Sequence, residues 1–241
     1  MGGGNQTPAA ISAYFDLPNG IISSKTHLTL EIWATVKSIQ IWQRLFDFEQ
    51  MNTGGTGEIV GTETTAPSGA QARDSFMLSP SREGFLDRPR LSGRIDGGTE
   101  YQTDVSVAIA ANTQYHFVGT YQSGIGTYSA TGGRISWYRN ATLIGSADLP
   151  FRLNQIEDVN NWLGRSQWSG DSNAHIAYNE VRLYDYALSQ AQITASGTAG
   201  VDKVFPAPTA VADSITMHRG QKAKLNVLAG DDRSPPTAPF G

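Results

Sequence analysis

The sequence predicts an all-β fold in which antiparallel strands form a sandwich. First, residues 28–37 alternate apolar and polar side chains with a period of two, which is typical of a strand with one buried face. Second, glycine-containing turn sequences at 96–98, 122–124 and 131–133 separate short apolar runs. Third, helical periodicity is confined to residues 188–195. Many short strands with little helix favour a sandwich over alternating α/β units.

Each predicted element follows from its local pattern. Residues 42–49 repeat the alternation of 28–37 and predict a second strand close behind the first. Ser189 precedes the helical segment and is a candidate N-cap, because a serine oxygen accepts hydrogen bonds from the free amides of a first helical turn. The other predicted strands are 75–78, 90–95, 105–110, 115–121, 134–139, 143–147, 162–165 and 175–184.

The composition excludes several classes of function. The 241 residues carry 18 basic and 22 acidic side chains, a net charge of −4, and the basic residues do not cluster, so nucleic acid is not an expected partner. The absence of cysteine excludes disulfides, thiolate zinc sites and cysteine nucleophiles. No run of 18 apolar residues occurs, so membrane insertion is not expected.

Composition also divides the chain. Residues 1–9 lack the regions of a signal peptide and are expected to be disordered or vector-derived. Residues 10–202 hold the predicted strands, 203–209 form a proline-containing linker, and 210–241 begin a new strand-like pattern. Residues 51–74 are rich in Gly, Thr, Ala and Ser and predict a long loop, which is either functional or disordered.

Five segments, taken in order, resemble strands of the laminin-G-like, concanavalin A-like jelly-roll domains of lectins and glucanases. The segments are LTLEIW (28–33), WQRLFDF (42–48), YHFVGTY (115–121), ISWYRN (135–140) and NEVRLYDYALS (179–189). The resemblance implies an antiparallel jelly-roll sandwich over residues 10–202.

The C-terminal segment carries a second resemblance. Residues 210–241 look like the first strands of a bacterial cadherin-like or immunoglobulin-like repeat. A sandwich of that kind needs roughly 100 residues, so this β segment is incomplete. We therefore expect further domains of the same polypeptide, and a bacterial modular protein that is secreted or held at the cell surface.

Two positions depart from the laminin-G-like pattern. Ala141 follows Asn140 where the family usually has glycine, so a change from the primed hairpin turn is expected. Asn179 stands where the family usually has aspartate, which weakens a metal ligand.

The resemblance implies a non-catalytic binding or adhesion module, with a carbohydrate as the first expected ligand and a surface protein as the next. Sugar sites combine an aromatic face with polar hydrogen-bonding groups. Trp168 lies in a polar loop where periodicity gives no reason for its burial, and Asp171 follows in the same loop. Tyr101 and Tyr128 are weaker candidates for the same ligand site.

Two alternatives remain open at this point. A glycan-active hydrolase or lyase of this fold would need paired carboxylates, and Asp47 and Glu49, two apart on one strand, are the candidates. The Glu-x-Asp-x-x-Glu run of the jelly-roll glucanases does not occur, and the four histidines have no zinc-binding spacing. The other alternative is a structural spacer or a protein–protein interaction domain, since one fold hosts many functions.

Calcium is the expected cofactor, in a structural role, because members of the resembled family often hold one ion with oxygen ligands. Asp16 and Asn19 lie near the first strand, and Asn179 and Glu180 lie on the last. First and last strands commonly pair in a jelly roll, so these four side chains are the predicted metal ligands.

Overall fold

The computed structural model describes residues 4–5, 14–51, 71–82, 87–168 and 170–203, with backbone only for the first two. The predicted linker and the repeat-like segment 210–241 lie outside the described residues, as does most of the predicted 51–74 loop. That loop ends earlier than expected, because a strand already begins at Ala72.

Thirteen strands and one α-helix follow one another along the described chain, with a short 3₁₀ helix at Leu153–Gln155. The elements are β1 (Gly4–Asn5), β2 (Phe15–Leu17), β3 (His27–Val36), β4 (Phe46–Met51), β5 (Ala72–Ser79), β6 (Arg90–Arg94), β7 (Tyr101–Asp104), β8 (Thr113–Ser123), β9 (Gly133–Arg139), β10 (Thr142–Leu149), β11 (Asn160–Leu163), β12 (Ser172–Asn173), β13 (Ile176–Tyr184) and α1 (Gln190–Ala199).

Two antiparallel sheets form the sandwich, as the sequence predicted. The five-stranded sheet has the order β10-β9-β8-β3-β13, and the six-stranded sheet has the order β2-β11-β4-β5-β6-β7. A separate two-stranded ladder joins β1 to β12. The core between the two large sheets is formed by the inward side chains of both, including Leu30 and Ile32 of β3 and Phe46, Phe48 and Phe76 of β4 and β5.

Strand β3 is buried on both faces, although its alternation predicted a half-buried strand. Glu31 and Trp33 on the outward face are 0% and 3% exposed. The reason is that α1 covers this face: Ile193 packs with Val118 of the neighbouring β8. The helix lies so close that a Cβ added at Gly197 would come within 2.9 Å of the His116 ring.

The predicted helix cap is confirmed. Ser189 accepts a hydrogen bond from the amide of Gln192, and the Gln192 side chain accepts one from the amide of Ser189, which completes a capping box. The helix extends to Ala199, four residues beyond the predicted end.

Two local predictions were wrong. Residues 105–110 form no strand; the strand is Tyr101–Asp104, which pairs with β6, and Ile109 of the following loop packs into the core. The β9–β10 hairpin keeps a primed turn without glycine, because Asn140 and Ala141 both adopt positive φ, +48° and +61°.

Among the described residues, no helix has the length and apolar character needed to cross a bilayer.

Candidate functional site

The outer face of the six-stranded sheet is polar although it is buried. Side chains alternate along a strand, so Phe46 and Phe48 point into the core while Asp47 and Glu49 point away from it. Asp47 is 0% exposed and Glu49 is 1% exposed. Buried carboxylates are costly unless they are paired, hydrogen-bonded or neutral, so the surroundings of this pair decide what the face can do.

The strand register aligns four polar side chains in a row across this face. Asn160 of β11 lies opposite Glu49 of β4, Glu49 lies opposite Ser75 of β5, and Ser75 lies opposite Arg94 of β6. Directly opposed residues of antiparallel strands share one face of the sheet. We call Asn160, Glu49, Ser75 and Arg94 the polar row.

A cavity of about 460 Å³ opens above this row. Its size falls within the range of small-molecule binding sites. The floor includes three members of the polar row and Met77, and the walls carry two tryptophans. The described lining residues are Ile41, Trp42, Arg44, Glu49, Ser75, Met77, Arg90, Arg94, Glu100, Trp168, Gly170 and Asp171.

Arg44 holds one wall through two ion pairs. Its Nε lies 3.1 Å from Asp47 Oδ2, and its Nη2 lies 2.7 Å from Asp171 Oδ2. Ser166 Oγ also donates to Asp171, at 2.8 Å. Burial disfavours the charged guanidinium, but Asp171 and Asp47 outweigh it and raise the pKa of Arg44. Arg44 therefore stays charged, and its guanidinium is held by the two carboxylates.

Arg90 and Trp42 form another part of the lining. Arg90 Nε lies 2.8 Å from Asp104 Oδ1, and its Nη1 lies 3.1 Å from Glu100 Oε2. The Trp42 ring has the guanidinium of Arg44 at 5.5 Å and that of Arg90 at 5.2 Å from its centroid. These cation–π contacts fix a partly exposed indole at the mouth of the cavity.

Arg94 differs from the other two arginines of the cavity. It donates from Nη2 to the carbonyl of Ala72, and its guanidinium lies 5.2 Å from the centroid of Trp168. Its Nε is buried without a hydrogen-bond partner, and no carboxylate of the described residues forms an ion pair with it.

Glu49 is buried beside Arg94, and no donor of the described residues reaches its carboxyl oxygens. The neighbouring Asp47 carboxylate can accept the proton of a neutral Glu49. Burial raises the pKa of Glu49 well above its usual range, and the nearby Asp47 carboxylate adds to this effect, while Arg44 and Arg94 only partly oppose it. The neutral carboxylic acid is thus favoured, and a carboxylic acid donates a hydrogen bond.

A family model described as the concanavalin A-like lectin/glucanases superfamily, of the laminin G type, matches residues 9–194. The chain belongs to this superfamily. No curated protein sequence gave a match. Since the matched residues include all elements from β2 to β13, the superfamily assignment covers both large sheets.

Solved structures resemble this superfamily member in fold at low sequence identity. One is domain 4 of AbnA, an extracellular arabinanase of Geobacillus stearothermophilus, solved with arabinotriose: 15% identity, TM-score 0.52, with 75% of this chain and 70% of that chain covered. Another is the CBM40 of the Ruminococcus gnavus IT-sialidase: 14% identity, TM-score 0.53, with 76% and 95% covered. The same CBM40 was solved with α2,3-sialyllactose, at 15% identity and TM-score 0.53, with 76% and 94% covered.

Two of the four predicted ligand-binding residues lie in the cavity. Trp168 and Asp171 both line it. Tyr101 and Tyr128 lie elsewhere: their rings pack edge to face at 6.1 Å, and Tyr101 also contacts Phe151 at 6.3 Å. Neither is among the described lining residues of the cavity, and Tyr101 instead packs against the core.

Sequence reasoning missed the arginines and misplaced the start of the second strand. Residues 42–45 are not a strand, because Trp42 adopts a positive φ of +56° and β4 begins only at Phe46. Trp42 and Arg44 therefore turn toward the cavity, although alternation had placed them on the same face as Phe46. One signal for the missed arginines was available in the sequence: Arg90 and Arg94 are two charged residues, four positions apart, on a single predicted strand.

The four predicted calcium ligands are divided between the two sheets. Asp16 lies on β2, which pairs with β11, and β13 pairs with β3, so the expected pairing of first and last strands was wrong. Glu180 accepts from Arg182 Nε at 2.7 Å and from the amide of Asp202 at 2.8 Å. Asn179 donates to Gln114 at 3.1 Å.

The two strands nevertheless approach each other at the edge of the sandwich, where the Phe15 and Tyr178 rings lie 6.1 Å apart. The described residues contain no group of three or more His, Asp or Glu side chains suited to a metal ion. Calcium binding stays a prediction.

Proposed function

We propose that this domain is a non-catalytic carbohydrate-binding module of a secreted or cell-surface modular protein, and that the cavity over the six-stranded sheet holds the sugar. The observation that carries the proposal is the pairing of two partly exposed indoles, Trp42 and Trp168, with a floor of hydrogen-bonding side chains. A pyranose presents an apolar face and a ring of hydroxyls, and this lining offers a partner to each.

The related folds support a sugar ligand. Among the similar structures, one domain was solved with arabinotriose and another with sialyllactose. Their identity to this chain is low, so the argument for the ligand class rests on the cavity's own residues.

Binding is favoured over glycan hydrolysis by the position of Asp47. A hydrolytic pair needs both carboxyl groups to reach the sugar. Glu49 lines the cavity, whereas Asp47 lies beneath it: its Oδ2 accepts from Arg44 Nε at 3.1 Å and from the amide of Gln167 at 3.2 Å. Asp47 thus supports the wall of the cavity through Arg44.

A glycan array with a Trp168→Ala variant tests the proposal. Loss of the indole should weaken binding of any positive glycan by roughly 10- to 100-fold, the usual effect of removing a central aromatic contact. Tyr128→Ala is the matched control, because that aromatic ring lies outside the cavity, and it should bind like the parent protein.

Two results would contradict the proposal. One is an array without any glycan bound by the parent protein, which would favour a spacer or a protein-binding domain. The other is release of new reducing ends from a bound glycan that stops on Glu49→Gln, which would favour the hydrolase.

A further inference from the structure

Two neighbouring side chains of the polar row have buried polar atoms with incomplete hydrogen bonding. No donor of the described residues reaches either carboxyl oxygen of Glu49, and the Nε of Arg94 has no acceptor. Both residues line the cavity, and Ser75 lies directly between them in the strand register. Buried polar groups in native proteins are rarely left unsatisfied, so an unsatisfied pair that faces a cavity points to a ligand.

Arg94 differs from the other two arginines of the cavity in its ion pairing among the described residues. Arg44 is paired with Asp47 and Asp171, and Arg90 is paired with Glu100 and Asp104. Arg94 has only the backbone carbonyl of Ala72 and the face of Trp168 as described partners. Arg94 is therefore the arginine of this lining without a paired counter-charge among the described residues.

Glu49 does not supply that counter-charge. Burial and the adjacent Asp47 raise the pKa of Glu49 well above its usual range, so the neutral acid is favoured and acts as a donor. Arg94 has only donors, and the Ser75 hydroxyl donates as well as accepts. The Glu49 proton has the adjacent Asp47 carboxylate as an acceptor. Arg94 and Ser75 remain as donors beside the cavity, and the arginine favours an acceptor with negative charge.

We propose that the cavity recognises a carboxylated sugar, whose carboxylate lies over Ser75 and accepts hydrogen bonds from Arg94 and Ser75, beside an uncharged Glu49. This inference rests on the proposed carbohydrate-binding function and names the ligand class of the same site. Trp168 has two roles in this recognition. Its ring holds the Arg94 guanidinium in place, and the same ring offers the sugar an apolar surface beside that charge. A uronic acid and a sialic acid share the chemistry that the site requires.

Isothermal titration with matched acidic and neutral ligands tests the proposal. Trigalacturonic acid is compared with its methyl ester, and 3′-sialyllactose with lactose, so that each pair differs mainly in the carboxylate. At least one acid should bind ten to a hundred times more tightly than its neutral counterpart, the usual contribution of a charge-assisted hydrogen bond. The pair that shows the difference identifies a uronic or a sialic acid.

Arg94→Gln and Arg94→Lys form the variant series. Arg94→Gln should remove the preference for the acid, and Arg94→Lys should restore the preference in part. Thermal melting checks that each variant folds. Equal affinity for acid and ester, or an unchanged preference in Arg94→Gln, would overturn the proposal.

The pH dependence gives a second readout. The charged groups that face Glu49 are Asp47 on its own strand, Arg44 before that strand and Arg94 on β6. Ser75 on β5 and Asn160 on β11 are its uncharged neighbours. Binding of the acid should weaken as pH rises, because an ionised Glu49 repels the ligand carboxylate. Glu49→Gln, which stays uncharged, should bind without that loss. Parallel pH profiles for both proteins would contradict the role of Glu49.

The possible failures can be distinguished. Neutral sugars that bind through Trp168, without preference for the acid, would overturn this inference and leave the proposed function intact. Binding of neither acid nor neutral sugar in array and titration would overturn both. A third result would be binding of a sulfated oligosaccharide, such as a κ-carrageenan fragment, without binding of either carboxylated probe. This would show that the site recognises a sulfate ester and would overturn the proposal.

Discussion

Each sheet of the sandwich buries a glutamate on its outer face, and the two glutamates have opposite surroundings. Glu31 of β3 accepts from Tyr184 Oη at 2.8 Å, pairs with His116 Nε2 at 2.8 Å, and lies 3.5 Å from Arg182 Nη1. Glu49 of β4 has no such partners among the described residues. Burial disfavours the charged form of both glutamates. At Glu31 hydrogen bonds, of which that to His116 is the strongest, outweigh burial and lower the pKa. At Glu49 burial prevails and the pKa is raised.

What covers each glutamate explains the difference. Helix α1 covers Glu31. The Trp33 ring stacks on the His116 ring with 4.3 Å between the centroids, and the Arg182 guanidinium lies 4.5 Å from the centroid of Trp33. Over Glu49 there is a cavity lined by Trp168 and Arg94. A satisfied network under a helix stabilises the fold, whereas donors left open to a cavity are suited to a ligand. Four experiments test this contrast, in order of expected effect.

The largest effect is expected at Glu31. Glu31→Ala removes the anion that faces Arg182, whose side chain is 8% exposed, and should lower the free energy of unfolding by about 3–5 kcal/mol. Glu49→Gln is the matched control and should change stability by less than about 1 kcal/mol, since the acid is already neutral and no described donor reaches its oxygens. Urea denaturation measures both values; equal losses would break the contrast between the two faces.

Calcium removal comes next. If Asp16, Asn19, Asn179 and Glu180 hold an ion, it would join the edges of the two sheets. Calcium at about 100 times its dissociation constant would then stabilise the fold by about 2.7 kcal/mol, and chelation should lower the thermal midpoint. Asp16→Ala should abolish the shift. A midpoint that chelation leaves unchanged would contradict calcium binding.

The pH dependence of stability should have opposite signs at the two glutamates. The contribution of neutral Glu49 is complete below about pH 4.5 and is lost as pH rises through its raised pKa, by at most about 1.4 kcal/mol per pH unit. The contribution of ionised Glu31 is present above about pH 4.5 and is lost as pH falls through its lowered pKa.

Denaturation of the parent, Glu49→Gln and Glu31→Gln from about pH 3 to about pH 8 separates these two contributions. Glu49→Gln should flatten the profile on the alkaline side, and Glu31→Gln should flatten it on the acid side. If both substitutions flatten the same side, the two faces are not electrostatically distinct.

The smallest effect is expected at the hairpin beneath α1, on the covered face. Ala141 adopts φ +61° and its carbonyl accepts from Gln190 of the helix. Ala141→Gly should raise stability by about 1 kcal/mol, because glycine adopts the left-handed region without a Cβ clash. Ala195→Gly, inside α1, is a control of opposite sign, with an expected loss of about 1 kcal/mol. A loss at both positions would mean that the turn is not strained.

Local patterns predicted much of the fold. The alternation in residues 28–37 fits β3, and Ser189 with Gln192 fits the start of α1, because both patterns report backbone geometry over a few residues. Trp168 was identified for a similar reason: an indole in a polar loop has no local cause for burial. The predicted strand at 105–110 was wrong, because an apolar loop segment that packs against the core has the same composition as a strand.

The sequence by itself determined the fold class, the strand alternation of β3, the helix cap and one of the two tryptophans that line the cavity. Only the tertiary structure decided that Glu49, Ser75 and Arg94 share one row, since cross-strand register joins residues separated by up to 45 positions of chain. It also decided which glutamate is satisfied: Glu31 meets His116 and Tyr184 from two other strands, whereas Glu49 meets a cavity. A pKa or a binding site depends on what surrounds a side chain in space, and local sequence describes only its neighbours along the chain.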